Sequence, residues 1–408
     1  MMLSTKPARL TCFSMATVAL LALSACGGGD DASVSTVQPF KTLSSVQPLV
    51  IGHRGASGYL PEHTLEAYGR AIEMGADFVE PDLVVTKDGV LIARHEPNIT
   101  STTNVSTLAK FASRKTTKKV DGVDETGWFA SDFTLAEIKE LGALITDAER
   151  PQQFNGLYQI PTLQEIVDLV KARRASSGRD IGIYPETKHP TFHRALGLSL
   201  EDRLIASLNA AGWNSRSAPV LVQSFEPGSL KEMKAKGLST RMVQLIDADD
   251  YDLKTGKLSY AAPYDRPYDW AVSGDTRLFS AMVTPAGLAE IKTYADGIGP
   301  WKPYIVPIKA TLDSSGNIVD RNGDGKRDYN DASSSQPATS LIDDAHKAGL
   351  FVHAYTFRNE ARRLAFDYNK NPKAEYLQFY RLGLDGLFSD FPDTALDARK
   401  DYLKELGR

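Results

Sequence analysis

Seven side chains stand where they could do chemistry together: His53, Arg54, Glu80, Asp82, His95, Glu186 and Lys188. Glu80 and Asp82 are two apart in one apolar run, and Glu186 and Lys188 are two apart at the end of another, so on strands each pair shares a face. Three carboxylates meeting in one place repel unless a cation lies between them. Oxygen donors suit a hard divalent ion, Ca2+ or Mg2+, better than Zn2+. Arg54 and Lys188 would then face an anionic substrate, and the guanidinium fork matches phosphate oxygens in a bidentate way. Two imidazoles with ordinary pKa near ~6.5 can divide acid and base roles near neutral pH. Together these groups suit in-line displacement at a phosphodiester. Gln223 and Tyr355, at later strand ends, are candidates to line the pocket and touch the substrate phosphate.

The elements that must position these groups are strands whose carboxyl ends meet. Residues 49–52, 78–85, 90–95, 181–185, 220–224, 242–246, 297–299, 351–355 and 386–389 read as strands. Residues 64–74, 163–173, 200–211, 230–236, 285–294 and 341–348 carry apolar residues at helical spacing. Strands alternating with helices imply parallel βαβ units, and about eight of them predict an α/β fold, a distorted (β/α)8 TIM barrel with insertions. A doubly wound sheet is the rival. Four residues, Thr86-Lys87-Asp88-Gly89, separate the second and third runs. No crossover helix fits there, so that pair should be a hairpin. Polar stretches at about 98–132 and 305–337 break the alternation and read as insertions on the catalytic face. There is no convincing internal repeat.

The amino terminus reads differently. Lys6 and Arg9 precede an apolar run, 10–23, that is too short to span a bilayer reliably. Leu23-Ser24-Ala25-Cys26-Gly27 resembles a bacterial lipobox. The resemblance implies a lipoprotein signal peptide over 1–25, lipidation of Cys26, a flexible tether over 26–47 and a folded domain over 48–408. It places the domain in the cell envelope, lipid-anchored, at the outer membrane facing the periplasm. Cys12 and Cys26 are the two cysteines, so the mature domain would hold no disulfide. The formal net charge of −4 argues against nucleic-acid binding, and any membrane contact should come only through the anchor.

Ordered motifs then recur at the strand ends. They are His53-Arg54-Gly55-Ala56-Ser57-Gly58-Tyr59-Leu60-Pro61-Glu62-His63-Thr64, Glu80-x-Asp82-Leu83-Val84-x-Thr86-Lys87-Asp88 and Gly182-Ile183-Tyr184-Pro185-Glu186-x-Lys188. Tyr294-Ala295-Asp296-Gly297-Ile298-Gly299-Pro300 and Gly386-Leu387-Phe388-x-Asp390-Phe391-Pro392-Asp393 follow. These resemble the glycerophosphodiester phosphodiesterase family, especially its periplasmic bacterial branch. Two residues depart from the pattern: Pro81, and Glu96, where an Asp is more usual. The resemblance implies a barrel, a Ca2+ or Mg2+ held by Glu80, Asp82 and Glu186, and catalysis by His53 and His95. It implies hydrolysis of a small-molecule glycerophosphodiester to sn-glycerol 3-phosphate and an alcohol. The alternative is a phospholipase of the sphingomyelinase D or phosphoinositide type on a related barrel. A binding protein with a decayed site is disfavoured by the intact set of histidines and carboxylates.

Residues 320–331 carry a second metal signal. Asp320, Asn322, Asp324, the Lys326 carbonyl, Asp328 and Asp331 match a twelve-residue Ca2+ loop, with Asp at the closing position in place of Glu. This predicts a second, structural Ca2+ remote from catalysis. Of the remaining histidines, His63 is expected to hold a loop-to-helix entry, and His189, His193, His346 and His353 to be structural. Glu62 is expected either to support the site or to cap a helix. Phe225, Trp301 and Phe388 are assigned equally to a glycerol-packing wall and to the core.

Overall fold

The computed structural model describes residues 37–334 and 337–408. The expected signal peptide and Cys26 lie outside them. Eight parallel strands form the frame: β1 (Leu49–His53), β2 (Phe78–Glu80 and Asp82–Val85), β3 (Gly182–Ile183 and Glu186–Thr187), β4 (Leu221–Ser224), β5 (Arg241–Ile246), β6 (Gly297–Pro300), β7 (Phe351–Phe357) and β8 (Gly386–Ser389). Each pairs with the next, and β8 returns to β1 through Leu49↔Gly386 and Val50↔Leu387. The ring has no free edge, which excludes the doubly wound sheet. The expected ninth strand, Leu91–Ala93, pairs antiparallel with β2 and lies outside the ring, as its four-residue connection requires.

Two strands are broken. Pro81 has no N–H to give to a ladder, so β2 divides there, and β3 divides before Glu186, next to Pro185. The break leaves His53 opposite Glu80, and Asp82 opposite Glu186. Alternate residues fill two buried layers. Ile51, Phe78, Leu221, Val243 and Phe388 pack inside the ring with Tyr184. Val50, Val79, Val222 and Leu387 point the other way, into the shell shared with helices such as Leu163–Ser177 and Leu200–Ala211.

The folded boundary differs from the expected one. Residues 37–47, assigned to the tether, pack against the barrel. Gln38 N donates to Leu406 O, Leu43 N donates to Asp385 Oδ1 at 2.7 Å, and Thr42 is buried. Partners for this backbone come from the far end of the chain, which composition alone does not reveal.

Val105, Phe111 and Trp128 of the insertion over 98–132 pack with Phe133 and Ile138 against Val84 of β2 and Ile92 of the antiparallel strand, and the insertion extends the hairpin Thr116–Val120/Val123–Gly127. In the 305–337 insertion the expected calcium loop does not gather its carboxylates. Asp320 accepts from Gly323 N and Gly325 N, Asp324 from Lys326 N, Asp328 from Asn330 N, and Asp331 from Arg321 N. No three of its acidic groups converge; among the described residues only Glu80, Asp82 and Glu186 do. The loop's acids instead shape a run of tight turns. A further excursion, 247–284, was not singled out by its sequence. It carries the short hairpin Asp250–Asp252/Lys257–Ser259 and the helix Tyr268–Ser273, and it walls one side of the central cavity.

Candidate active site

The carboxyl ends of the strands open into a cavity of about 430 Å3. His53, Arg54, Glu80, Asp82, His95, Glu186, Lys188, Gln223 and Tyr355 all line it, so the structure brings together every site residue expected there. Phe225, Trp301 and Phe388 also line it; Phe388 is buried as well and meets the His53 ring in a T-shaped contact.

Glu80, Asp82 and Glu186 are buried and offer oxygens all within 4.8 Å of one another. Burial and the adjacent carboxylates push Glu80 well above the usual carboxylate range. Burial, reinforced by Asp82 and opposed by Lys188, pushes Glu186 up to about 8. Asp82 resists the same burial. Lys188 and a hydrogen bond to His63 hold it well below its ordinary value. Glu186 Oε1 lies 3.1 Å from Lys188 Nζ, without hydrogen-bond alignment. Hard oxygen donors that repel one another and keep an oxygen without a hydrogen bond fit a divalent cation such as Ca2+ or Mg2+. Gln223 is better described as a support for this cluster, because its Nε2 donates to Glu80 Oε1 at 3.2 Å.

Each histidine is held by a carboxylate. His53 Nδ1 lies 2.5 Å from Asp390 Oδ1, and Asp390 Oδ2 accepts from Arg150 at 2.5 Å and Arg358 at 2.9 Å. Burial and then Arg54 bring His53 down to about 4, against the pull of Asp390. His95 Nδ1 lies 2.7 Å from Glu96 Oε1, and its Nε2 lies 3.4 Å from Lys188 Nζ. Burial, Arg54 and Lys188 lower its pKa while Glu96 opposes them. A carboxylate at Nδ1 thus orients each imidazole, and burial disfavours the charged form of each.

Arg54 has a left-handed backbone (φ 59), which lets its N–H donate to Glu80 Oε2 at 2.8 Å. Its Nη1 donates to Glu62 at 2.9 Å, so Glu62 supports the site and does not cap the following helix; Thr64 does that. His63 does more than hold the helix entry. Its Nε2 lies 2.9 Å from Asp82 Oδ2 and its Nδ1 2.7 Å from the Tyr68 hydroxyl, so it aims a metal-ligating carboxylate. Arg94, completely buried, binds the carbonyls of Glu62, His63 and Thr102 and pins this loop. Tyr355 reaches the cavity, but its hydroxyl donates to Ile246 O at 3.0 Å. His346 pairs with Asp385, and His193 and His353 are buried in the packing, as a structural reading requires. His189 departs from that reading: it lines the cavity and contacts Glu96.

Asp390, Arg150 and Arg358 were not foreseen as site residues. Asp390 was within reach of the strand-end argument, since it follows β8 just as Glu186 follows the break in β3. Arg150 and Arg358 lie on loops and carry no local signal.

Residues 53–394 match the family model described as the glycerophosphoryl diester phosphodiesterase family. A glycerophosphodiester phosphodiesterase of Arabidopsis thaliana is 35% identical, with 86% of each chain covered. One from Haemophilus influenzae is 30% identical over 86% of this chain and 90% of its own. Among solved structures, a glycerophosphoryl diester phosphodiesterase of Silicibacter pomeroyi superposes with a TM-score of 0.56 at 19% identity, covering 89% of this chain and 98% of that one. An Oleispira antarctica phosphodiesterase in complex with its product sn-glycerol-3-phosphate gives 0.52 at 19% identity, covering 88% and 99%. The barrel is thus a shared fold, and the relatives include both plant and bacterial proteins. The chain belongs to the glycerophosphoryl diester phosphodiesterase family.

Proposed function

We propose that this protein hydrolyses glycerophosphodiesters to sn-glycerol 3-phosphate and an alcohol. The observation that carries the reading is the convergence of two carboxylate-held imidazoles, two cations and three metal-fitting carboxylates on one cavity. A divalent cation held by Glu80, Asp82 and Glu186 would neutralise phosphoryl charge and lower the pKa of a hydroxyl it binds. Arg54 and Lys188 bind the phosphodiester oxygens. His53 and His95 divide the two proton transfers, one taking the proton of the attacking oxygen and the other giving a proton to the departing alkoxide. Membership of this family speaks against the phospholipase alternative.

The finer reading places the chain in the periplasmic bacterial branch, with Ca2+ or Mg2+ as the ion. Acylated Cys26 would hold it at the outer membrane, facing the periplasm. The lipobox-like segment supports anchoring, and all-oxygen ligation supports a hard ion, Ca2+ or Mg2+.

The test is release of glycerol 3-phosphate from glycerophosphocholine by purified mature protein. EDTA should stop it, Ca2+ should restore it, and His53→Ala should abolish it. Release of choline phosphate instead, or undiminished activity of His53→Ala, overturns the proposal. Separately, Cys26→Ser should move the protein from the membrane to the soluble fraction; continued membrane retention rejects the anchor.

A further inference from the structure

One side of the cavity holds a chain of four side chains in polar contact that the reaction above leaves partly unused. His95 Nδ1 lies 2.7 Å from Glu96 Oε1. The other oxygen of Glu96 lies 2.8 Å from His189 Nε2. His189 Nδ1 lies 2.7 Å from Asp121 Oδ2. His189 therefore has a carboxylate on each ring nitrogen, which holds both as N–H donors. Burial works against that charge, but Glu96 and Asp121 raise the His189 pKa to about 10.

The backbone is bent to build this chain. His189 adopts φ 49, a left-handed conformation uncommon outside glycine, directly before the helix Pro190–Ala195. Asp121 and Gly122 form the two-residue turn of the hairpin Thr116–Val120/Val123–Gly127, with φ 45 and 87, the geometry that suits a tight hairpin. That turn puts Asp121 at the tip, and the tip lines the catalytic cavity. The hairpin thus reaches the catalytic cavity from the 98–132 insertion.

The length of residue 96 supplies the reason. Glu carries one more methylene, and one more freely rotating bond, than Asp would. Its side chain is 36% exposed and would otherwise sample several rotamers. A second anchor on its far oxygen removes that freedom.

We propose that His189 and Asp121 are positioning residues for His95. They clamp Glu96 so that it holds the His95 Nδ1–H, leaving Nε2, beside Lys188 Nζ, as the atom that exchanges a proton. This rests on the reading of His95 as catalytic. The plainer role for the chain is to tie the hairpin to the barrel, and the experiment separates the two.

Wild-type mature protein, His189→Gln, Asp121→Asn and Glu96→Gln are compared for kcat and KM of glycerol 3-phosphate release. They are also compared for the His95 tautomer, by long-range proton–nitrogen spectra of histidine-labelled protein. The expected result is a fall in kcat of about tenfold for His189→Gln and Glu96→Gln, with KM changed less than about twofold. Asp121→Asn, the mildest change, should fall less. In wild type His95 should be the Nδ1–H tautomer, and in His189→Gln a mixture. An unchanged tautomer with unchanged kcat overturns the proposal, and so does a lower melting temperature with the tautomer intact. Should His189→Gln not fold, Asp121→Asn gives the same two readouts. A wild-type protein that releases no glycerol 3-phosphate rejects the functional reading instead, and the tautomer comparison still judges the clamp.

Discussion

His53 and Asp390 join the first and last strands of the ring through a 2.5 Å contact between Nδ1 and Oδ1, across 337 residues of sequence. The second Asp390 oxygen is taken by Arg150 and Arg358, so the carboxylate can neither rotate nor gain a proton easily. Burial opposes its charge, yet Arg358 and His53 hold it well below the usual carboxylate range. It fixes the His53 tautomer with Nδ1 as the donor. Replacing Asp390 with Asn should lower kcat by about 100-fold with little change in KM, since a general acid or base in the wrong tautomer forfeits its contribution. Steady-state kinetics check this; a kcat within twofold of wild type would mean that His53 does not need Asp390.

His63 should matter to the metal, although its sequence context reads as a helix entry. It bonds Asp82 and is itself held by Tyr68. His63→Gln should weaken divalent-ion affinity by roughly 10- to 100-fold, the range typical of groups that orient ligands. Tyr68→Phe should do the same more weakly. Calorimetric Ca2+ titration measures both, and equal affinities for variant and wild type would refute the link.

Arg94 is a stability prediction. Its guanidinium is fully buried and bonds the carbonyls of Glu62 at 2.5 Å, His63 at 3.0 Å and Thr102 at 3.0 Å, besides its neighbour Ala93. Arg94→Met fills most of the space but leaves those acceptors unpaired, each at about 1–3 kcal/mol. Urea unfolding should show a loss of about 3 kcal/mol or more. Activity of the folded fraction should also drop, because Glu62 and His63 lose their anchor.

His189 predicts a pH dependence of stability. Its pKa in the folded protein, about 10, lies above the ordinary 6.5. Protonation therefore favours the folded state. The stabilisation is complete below about pH 6.5, declines through the interval and is gone above about pH 10. The contribution of His189 should make the melting temperature fall between pH 7 and 10, and His189→Gln should be less stable at pH 7 and show a shallower decline. A slope identical in both proteins would show that His189 is not held charged.

Much of this architecture was legible in the sequence because it is periodic. All eight barrel strands fall in runs that alternate inside and outside, and the hairpin after β2 follows from a connection too short for a helix. The carboxylate cluster was legible for the same reason: residues two apart share a strand face, and parallel strands deliver their ends to one rim. The loop at 320–331 shows the limit of pattern matching. Its spacing fits a calcium site, but in the structure its carboxylates are engaged with backbone N–H groups and do not converge.

By itself the sequence determined the strands, the pairs Glu80/Asp82 and Glu186/Lys188, and the two histidines, since each depends on neighbours a few residues away. Only the tertiary structure decided what holds them. Asp390 on His53, His63 on Asp82, the Asp121–His189–Glu96 chain on His95, and the docking of residues 37–47 all join segments distant in the chain. Such contacts depend on ring closure and on where loops fold back, and neither leaves a period or a spacing for a reader of the sequence to find.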